Sequence, residues 1–159
     1  QADLDRAADR YNVLMELGKK VGCLPTLEFL GFVEHVKNVD TLLEIVRRAD
    51  NPDTTVVMDS FHIYRGGGTN ADILKVPGNQ VSIFHINDTP KVDEPEILTD
   101  GDRVQPGDGI LDLSDMLSKL TTQGFSGCVS LELFNAKIWM EDPFETAKIG
   151  AEKVRRLIE

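Results

Sequence analysis

Four residues spaced widely along the chain could together bind a metal ion: Glu28, Asp59, His85 and Glu132. Each lies at or near the C-terminal end of a short apolar run. Carboxylate oxygens and an imidazole nitrogen suit Mn²⁺, Mg²⁺, Co²⁺ or Zn²⁺, and the lack of thiolates among them disfavours a structural zinc site. Three buried carboxylates would repel one another without a cation. The set therefore predicts a site for one divalent metal ion.

Each of these residues also has a simpler interpretation when it is taken singly. A lone glutamate in an apolar strand could pair with a buried Lys or Arg, and a lone histidine could be a core residue with satisfied hydrogen bonds. The recurrence of such residues at the same point of four successive units favours the metal site.

Strands and helices that alternate along the chain would position these residues. Apolar runs predict four strands, over 24–30, 55–58, 80–86 and 129–134. Helical spacing predicts helices over 4–21, 39–49 and 113–120, a short segment over 70–74, and a last helix that opens with Asp142, Pro143 and Glu145. Such alternation is typical of parallel βαβ units, and the C-terminal strand ends of parallel barrels face one cavity. Four units make half of a barrel.

Two stretches between these elements are candidates for functional loops. Residues 88–110 are polar and contain three prolines, which favours an active-site loop over a domain linker. Gly66, Gly67 and Gly68 could cradle a phosphate at a helix N-terminus, but a tight turn between elements explains them more simply.

Composition limits the classes of partner. The 159 residues include 17 basic and 27 acidic ones, for a net charge of −10, and 41% are hydrophobic. So acidic a protein predicts no nucleic-acid partner, and no stretch is apolar enough to span a membrane. Cys23 and Cys128 precede apolar runs and are predicted to be buried thiols in a reducing cytoplasm.

Several strings carry a family resemblance: LEFLGF, VVMDSFH, FHINDT, DRVQPGDG and SLELFN. They resemble the xylose isomerase-like TIM barrel superfamily, which includes sugar isomerases and epimerases, inosose isomerase and dehydratase, and apurinic (AP) endonucleases of the second type. The run from FHINDTP to SLELFN is most similar to inosose isomerases. This resemblance implies an α/β fold in which residues 1–159 form the C-terminal half, strands five to eight, of a (β/α)₈ barrel.

The resemblance also implies roles for individual residues. Glu28, Asp59, His85 and Glu132 match the metal ligands of the superfamily, with Mn²⁺ the first metal to expect. His62, Arg103 and Glu34 match positions that bind substrate oxygens. A helix-terminal histidine and an arginine paired with Asp102 or Asp108 are the alternatives for His62 and Arg103. The loop between His85 and Arg103 is longer than in ketohexose epimerases, which disfavours a simple ketose epimerase.

The expected reaction is isomerisation or epimerisation of a sugar or polyol, with inosose as the first candidate substrate. A proton leaves the carbon beside a carbonyl, and a divalent ion stabilises the resulting enediolate as a Lewis acid. Glu28 and Glu132 are the candidates for the catalytic base and acid. A metal-dependent dehydratase of the inosose or dehydroshikimate type would begin with the same proton abstraction and remains an alternative.

Two other classes of protein are alternatives to an isomerase. A DNA-repair AP endonuclease would need several metal ions, many histidines and a basic groove, which 3 histidines and a charge of −10 disfavour. A non-catalytic fragment is the other class, because strands five and eight would have open edges. A barrel also typically needs about 250 residues. We therefore expect a missing N-terminal half-barrel, or a homo-oligomer, to cover those edges.

Overall fold

The computed structural model describes residues 3–158, in which strands and helices alternate. The strands are β1 (Leu27–Glu28), β2 (Val56–Asp59), β3 (Val81–Ile86) and β4 (Cys128–Leu131). The α-helices are α1 (Leu4–Val21), α2 (Val39–Ala49), α3 (Ser60–Arg65), α4 (Leu113–Thr122) and α5 (Pro143–Ile158). Short 3₁₀ helices span Asn70–Lys75, Gly78–Gln80, Pro95–Ile97, Asp100–Asp102 and Ile138–Met140.

The strands form one parallel sheet in the order β1-β2-β3-β4. The register aligns Asp59 with His85 across β2 and β3. All four C-terminal ends therefore lie along the same edge, as the alternation of elements predicts. The predicted parallel α/β arrangement is confirmed.

Local signals explain where the first two helices begin and end. An Asp3 side-chain oxygen accepts a hydrogen bond from the Arg6 amide to cap α1, and Asn38 caps α2 in the same way through Thr41. Gly22 ends α1 in the left-handed conformation, with φ of 69°. The predicted bounds of α1 and α2 are those observed, because both helices carry a clear apolar stripe.

The main core lies between the sheet and the helices that cover it. Its buried side chains include Phe29, Leu42, Met58, Phe84 and Met116. A smaller cluster joins α1 to α2 through Ala8, Tyr11, Met15, Ile45 and Ala49. The sheet is thus held from one face by packed helices, which fixes the strand ends that carry the candidate ligands.

The first and last strands differ from their predictions. The run 24–30 was predicted to be a strand buried on both faces, but only Leu27 and Glu28 are paired, and both are partly exposed. The cause is that β1 has a single neighbouring strand. Likewise β4 ends at Leu131, so Glu132 follows the strand, although its amide still donates to the Ile86 carbonyl at 3.3 Å.

The glycine run ends a helix that the sequence did not predict. Helix α3 begins directly after Asp59, and the Gly66 and Gly68 amides donate to carbonyls of its last turns. Gly67 has φ of 80°, a conformation that favours glycine. The run therefore serves helix termination, and the segment at Asn70–Lys75 that follows is a 3₁₀ helix.

The predicted burial of the two cysteines was wrong: Cys23 and Cys128 are free thiols, but both are exposed. Cys23 follows the left-handed end of α1, and Cys128 begins the edge strand β4, which has no strand beyond it among the described residues. Apolar side chains are also exposed on both flanks of the sheet, including Val13 and Leu14 on α1, and Trp139, Met140 and Phe144 beyond β4. No helix within residues 3–158 has the length and hydropathy needed to cross a bilayer.

Candidate metal centre

The four predicted ligands converge at the C-terminal edge of the sheet. Glu28 is on β1, Asp59 ends β2, His85 is on β3, and Glu132 directly follows β4. One potential ligand atom from each side chain lies within 4.8 Å of all the others. The predicted meeting of these residues is therefore observed, and each neighbouring strand supplies one of them.

The spacing of the ligand atoms fits a metal ion. The His85 Nδ1 atom lies 3.2 Å from Glu28 Oε1, 3.4 Å from Glu132 Oε2 and 3.7 Å from Asp59 Oδ2. A tetrahedral ion with bonds of about 2.0–2.2 Å separates its ligand atoms by roughly 3.3–3.6 Å. The three distances from His85 Nδ1 lie close to this range, so the donor set suits a small divalent cation.

Asp59 is held rigidly for this position. Its side chain is 0% exposed, and Oδ1 accepts a hydrogen bond from the His62 amide, which caps α3. The other oxygen, Oδ2, accepts hydrogen bonds from Asn87 Nδ2 at 3.4 Å and Arg103 Nη1 at 2.8 Å. One carboxylate therefore ends a strand, begins a helix and still directs an oxygen toward His85.

Arg103 lies inside the same cluster. Its guanidinium is fully buried, and Nη1 donates to both Asp59 Oδ2 and Glu132 Oε2 at 2.8 Å. Nε and Nη2 donate to Asp100 Oδ1 at 3.1 and 2.7 Å. Arg103 thus contacts two of the three carboxylate ligands together with Asp100, and its single positive charge offsets only part of their negative charge. A divalent cation would offset more of it.

Arg103 pairs with neither Asp102 nor Asp108, the partners that a purely structural role would predict. Asp102 instead accepts from the Thr99 amide as part of a capping box, and Asp108 pairs with Lys153. The partners of Arg103 are Asp100 and two candidate ligands. Its assignment as a substrate-binding residue stays a prediction.

Two of the candidate ligands have shifted pKa values. The hydrogen bond with Glu28 raises the pKa of His85, with further contributions from Glu132 and Asp59. Burial raises the pKa of Glu132, against the opposing effects of His85 and Arg103. Both shifts reflect negative charge concentrated in a partly dehydrated site, which a cation would relieve.

His62 packs beside the cluster, with Phe29, Phe32 and Phe61 against its ring. Burial lowers the pKa of His62. The Gly31 amide donates to Nδ1 at 3.2 Å, and Arg103 Nη2 lies 3.2 Å from Nε2. A neutral imidazole has only one acceptor nitrogen, so it can accept from only one of these two donors.

Glu34 lies apart from these groups. It is exposed and lines a separate groove with Lys37, Arg65 and Glu96. None of the four candidate ligands lines that groove. Asp100 and Asn87 contact the cluster but were not predicted from the sequence, because neither the 3₁₀ helix that holds Asp100 nor the segment after β3 that holds Asn87 has a periodic signal.

The sequence of residues 1–157 matches the family model described as xylose isomerase-like TIM barrel. The chain belongs to this family. Among relatives, an inosose isomerase of Bacillus subtilis (strain 168) is 35% identical over 147 residues, which cover 89% of this chain and 52% of the relative. A 3-dehydroshikimate dehydratase of Pseudomonas putida is 30% identical over 129 residues, which cover 80% of this chain and 20% of that protein.

Solved structures of xylose isomerase-like barrels are similar in fold. The crystal structure of the IolI protein with a bound zinc atom superposes with a TM-score of 0.88 at 30% identity, over 95% of this chain and 54% of that one. The chain thus spans about half the length of the inosose isomerases it matches.

Proposed function

We propose that this chain is the C-terminal half of a (β/α)₈ barrel, strands five to eight, and that its site binds one divalent metal ion to isomerise or epimerise a sugar or polyol. Inosose is the first substrate to test, because several relatives of 34–37% identity are inosose isomerases. The observation that carries the proposal is the convergence of four ligand atoms within 4.8 Å of one another.

Glu28, Asp59, His85 and Glu132 would hold the ion. A bound divalent ion would supply Lewis-acid chemistry to a carbonyl and its neighbouring hydroxyl. We expect Mn²⁺ first, and the zinc atom in the IolI structure makes Zn²⁺ the second metal to test. Oxygen-rich donor sets of this kind also accept Mg²⁺ and Co²⁺.

The solvent exposure of the ligands separates two roles. The side chains of Glu28 and Glu132 are each 27% exposed, whereas Asp59 is fully buried. Of the three carboxylates, the two glutamates are therefore the more accessible to a substrate that enters from solvent. We assign Glu28 and Glu132 to proton removal and return at the carbon beside the carbonyl, and Asp59 to ligand binding alone.

His62 and Arg103 would bind a substrate oxygen. His62 Nε2 and Arg103 Nη2 lie 3.2 Å apart. A substrate hydroxyl or carbonyl oxygen near both nitrogens would accept from Nη2, and from Nε2 where that nitrogen carries the ring proton. Phe32 packs edge-on against His62 and would have to move to admit the substrate. Glu34 would bind a more distant hydroxyl from its adjoining groove.

A second body is proposed to cover the open sheet edges. Within residues 3–158, β1 and β4 each pair with one strand only, and apolar side chains are exposed on both flanks. Such edges are normally covered or paired. We propose that an N-terminal half-barrel covers them, with a second copy of this chain as the alternative. The two free thiols fit a reducing compartment, so a cytoplasmic location is part of the proposal.

Elemental analysis tests the metal site. Protein purified with Mn²⁺ or Zn²⁺ should retain about one ion per chain, and Glu132→Gln should lower metal affinity at least tenfold, because a charged ligand is lost. Glu152→Gln makes the same chemical change at an exposed position on α5 and should bind metal normally. Equal metal retention by all three proteins would remove Glu132 from the site.

Proton exchange tests the chemistry. The protein should be loaded with metal and joined to the proposed N-terminal half-barrel. In deuterated water, inosose should then exchange the proton beside its carbonyl for deuterium. Glu28→Gln and Glu132→Gln should each slow this exchange by at least about a hundredfold, the usual contribution of a general acid or base. Undiminished exchange in both variants would contradict the assigned roles.

A metal-dependent dehydratase is the second candidate function. Relatives named 3-dehydroshikimate dehydratase, at 29–30% identity, favour it. The proton abstraction by Glu28 or Glu132 would be the same, but a hydroxyl group would then leave as water. Ultraviolet absorbance of the product separates the two, because only loss of water creates a conjugated enone.

A further inference from the structure

Asp88 is a buried carboxylate that belongs to no part of the proposed reaction. It follows β3 by two residues and is 1% exposed. Within residues 3–158 no Lys, Arg or His pairs with it. Three backbone amides donate to it instead: Thr89 and Leu111 to Oδ1, both at 2.9 Å, and Gly107 to Oδ2 at 3.1 Å. A buried charge satisfied only by backbone donors fixes the positions of those donors.

The glycines of the string PGDG make this arrangement possible. Gly107 donates from a backbone with φ of 82°, which a side chain would strain. A Cβ on Gly109 would lie 2.3 Å from Asp88 Oδ1 and 2.2 Å from the Thr89 carbonyl oxygen. The chain can therefore wrap around the carboxylate only with glycine at both positions. We call residues 88, 89, 107, 109 and 111 the Asp88 cradle.

The cradle is joined directly to Arg103. The Asp88 amide donates to the Val104 carbonyl at 3.0 Å, and the Val104 amide donates to the Asp88 carbonyl at 2.9 Å. This antiparallel bridge holds the residue that follows Arg103. From there the Arg103 guanidinium reaches Asp59 and Glu132, each at 2.8 Å. The backbone bridge from Asp88 to Val104, the peptide bond from Val104 to Arg103 and the guanidinium hydrogen bonds thus connect Asp88 to two of the four candidate ligands.

We infer that Asp88 is a positioning residue for the metal centre. By closing the loop 88–111 upon itself, it holds Arg103 between Asp59 and Glu132, so that the oxygens of both carboxylates stay directed toward His85. This role rests on the proposed metal site. It assigns a function to the PGDG string, although no hydrogen bond within residues 3–158 joins that string to any of the four ligands.

Metal titration of purified variants tests the inference. With Mn²⁺ or Zn²⁺ alone as the probe, calorimetry should show that Asp88→Asn raises the metal Kd about 10–100-fold, the usual effect of losing a residue that orients metal ligands. Gly109→Ala disturbs the same carboxylate from the other side and should act in the same direction. It provides a second route if Asp88→Asn does not fold.

The control is Asp112→Ala, which removes the cap of α4 one residue beyond the cradle. It should lower Tm but leave the metal Kd within about twofold, because no hydrogen bond links Asp112 to Arg103. Weaker metal binding by Asp112→Ala equal to that of Asp88→Asn would mean that general destabilisation is the cause, which would overturn the inference.

A double-mutant cycle tests the route through Arg103. Arg103→Met should weaken metal binding by itself, and adding Asp88→Asn to it should change the Kd less than about twofold further, because both substitutions break the same connection. Equal effects of Asp88→Asn with and without Arg103 would refute the route. If the wild type binds metal and Asp88→Asn binds it equally well, this inference alone is contradicted. If the wild type binds no metal, the proposed function is contradicted as well.

Discussion

The two carboxylate oxygens of Asp59 have different tasks. Oδ1 accepts from the His62 amide and caps α3, and Oδ2 faces His85 and Arg103. An asparagine could keep the first contact, since Asn is among the best capping residues. Asparagine would, however, put an NH₂ group in place of the second oxygen and remove the negative charge. The two tasks can therefore be separated by substitution.

We expect Asp59→Asn to keep the fold and lose the metal. Metal affinity should fall at least tenfold, while the metal-free variant should still unfold cooperatively. Asp59→Ala should lose the metal and in addition about 1 kcal/mol of stability, the usual value of a helix cap. Calorimetric titration and urea unfolding would measure the two effects. Normal metal affinity in Asp59→Asn would contradict the ligand assignment.

The residues of the site were predictable to different degrees. Glu28, Asp59 and His85 could be predicted because a charged or imidazole side chain interrupts or ends an apolar strand, and parallel strand ends meet. The position of Arg103 between two ligands could not be predicted. It lies in the stretch 88–110, where no periodicity fixes the backbone, and its contacts depend on a bridge to Asp88 that only the folded loop forms.

At the scale of elements, Tyr11 joins α1 to the sheet. Its hydroxyl lies 3.1 Å from the Pro25 carbonyl oxygen and 3.2 Å from that of Thr55, and it accepts from the Thr55 amide at 3.3 Å. These contacts fix α1 against the segments that lead into β1 and β2. Burial raises the pKa of Tyr11 above its ordinary value.

This gives a prediction about alkaline pH. Because the folded pKa of Tyr11 is the higher one, its contribution to stability is complete below pH of about 10, the unfolded value, and is lost as pH rises through the folded pKa. Tyr11→Phe should lower the free energy of unfolding by about 0.5–1.5 kcal/mol at pH 8. The difference from wild type should shrink above pH of about 10.

Urea unfolding at both pH values would measure this difference. Tyr64→Phe is the matched control, because Tyr64 is only half-buried and its hydroxyl makes no hydrogen bond within residues 3–158. Its stability should differ little from wild type at either pH. A wild-type advantage over Tyr11→Phe that stays constant into the alkaline range would show that the Tyr11 hydroxyl does not titrate as described.

Helices α1 and α2, which have a clear apolar stripe, were predicted with their bounds, whereas helix α3 and the limits of strand β1 were not. Helices α1 and α2 bury one face each, so period and length agree. Helix α3 has six residues, of which the first four are buried, and so shows no amphipathic period. Strand β1 shrinks to two residues because pairing depends on a neighbouring strand, which its own sequence cannot report.

At the scale of the whole molecule, the two flanks of the sheet carry exposed apolar surface. Phe144 at the start of α5 is 83% exposed, and Trp139 and Met140 lie nearby in sequence. Large exposed apolar groups that lie together mark interaction surfaces. We therefore expect the isolated chain to associate.

Phe144→Glu should reduce that association. The side chain is mostly exposed, so stability should change by no more than about 0.5 kcal/mol, while sedimentation velocity should show a larger monomer fraction. Lys148→Gln alters the net charge by the same amount on the same helix without removing apolar surface, and it should sediment like wild type. A monodisperse wild-type monomer would contradict the expectation at the outset.

The position of the ligands across the sheet has a mechanical consequence. Glu28 comes from one outer strand and Glu132 from the end of the other, with Asp59 and His85 between them. An ion held by all four would tie together the full width of the sheet, including the two-residue strand that backbone pairing anchors least. Metal binding would then restrain both outer strands, and the metal-free protein would be cleaved by proteases most readily around the two-residue strand β1.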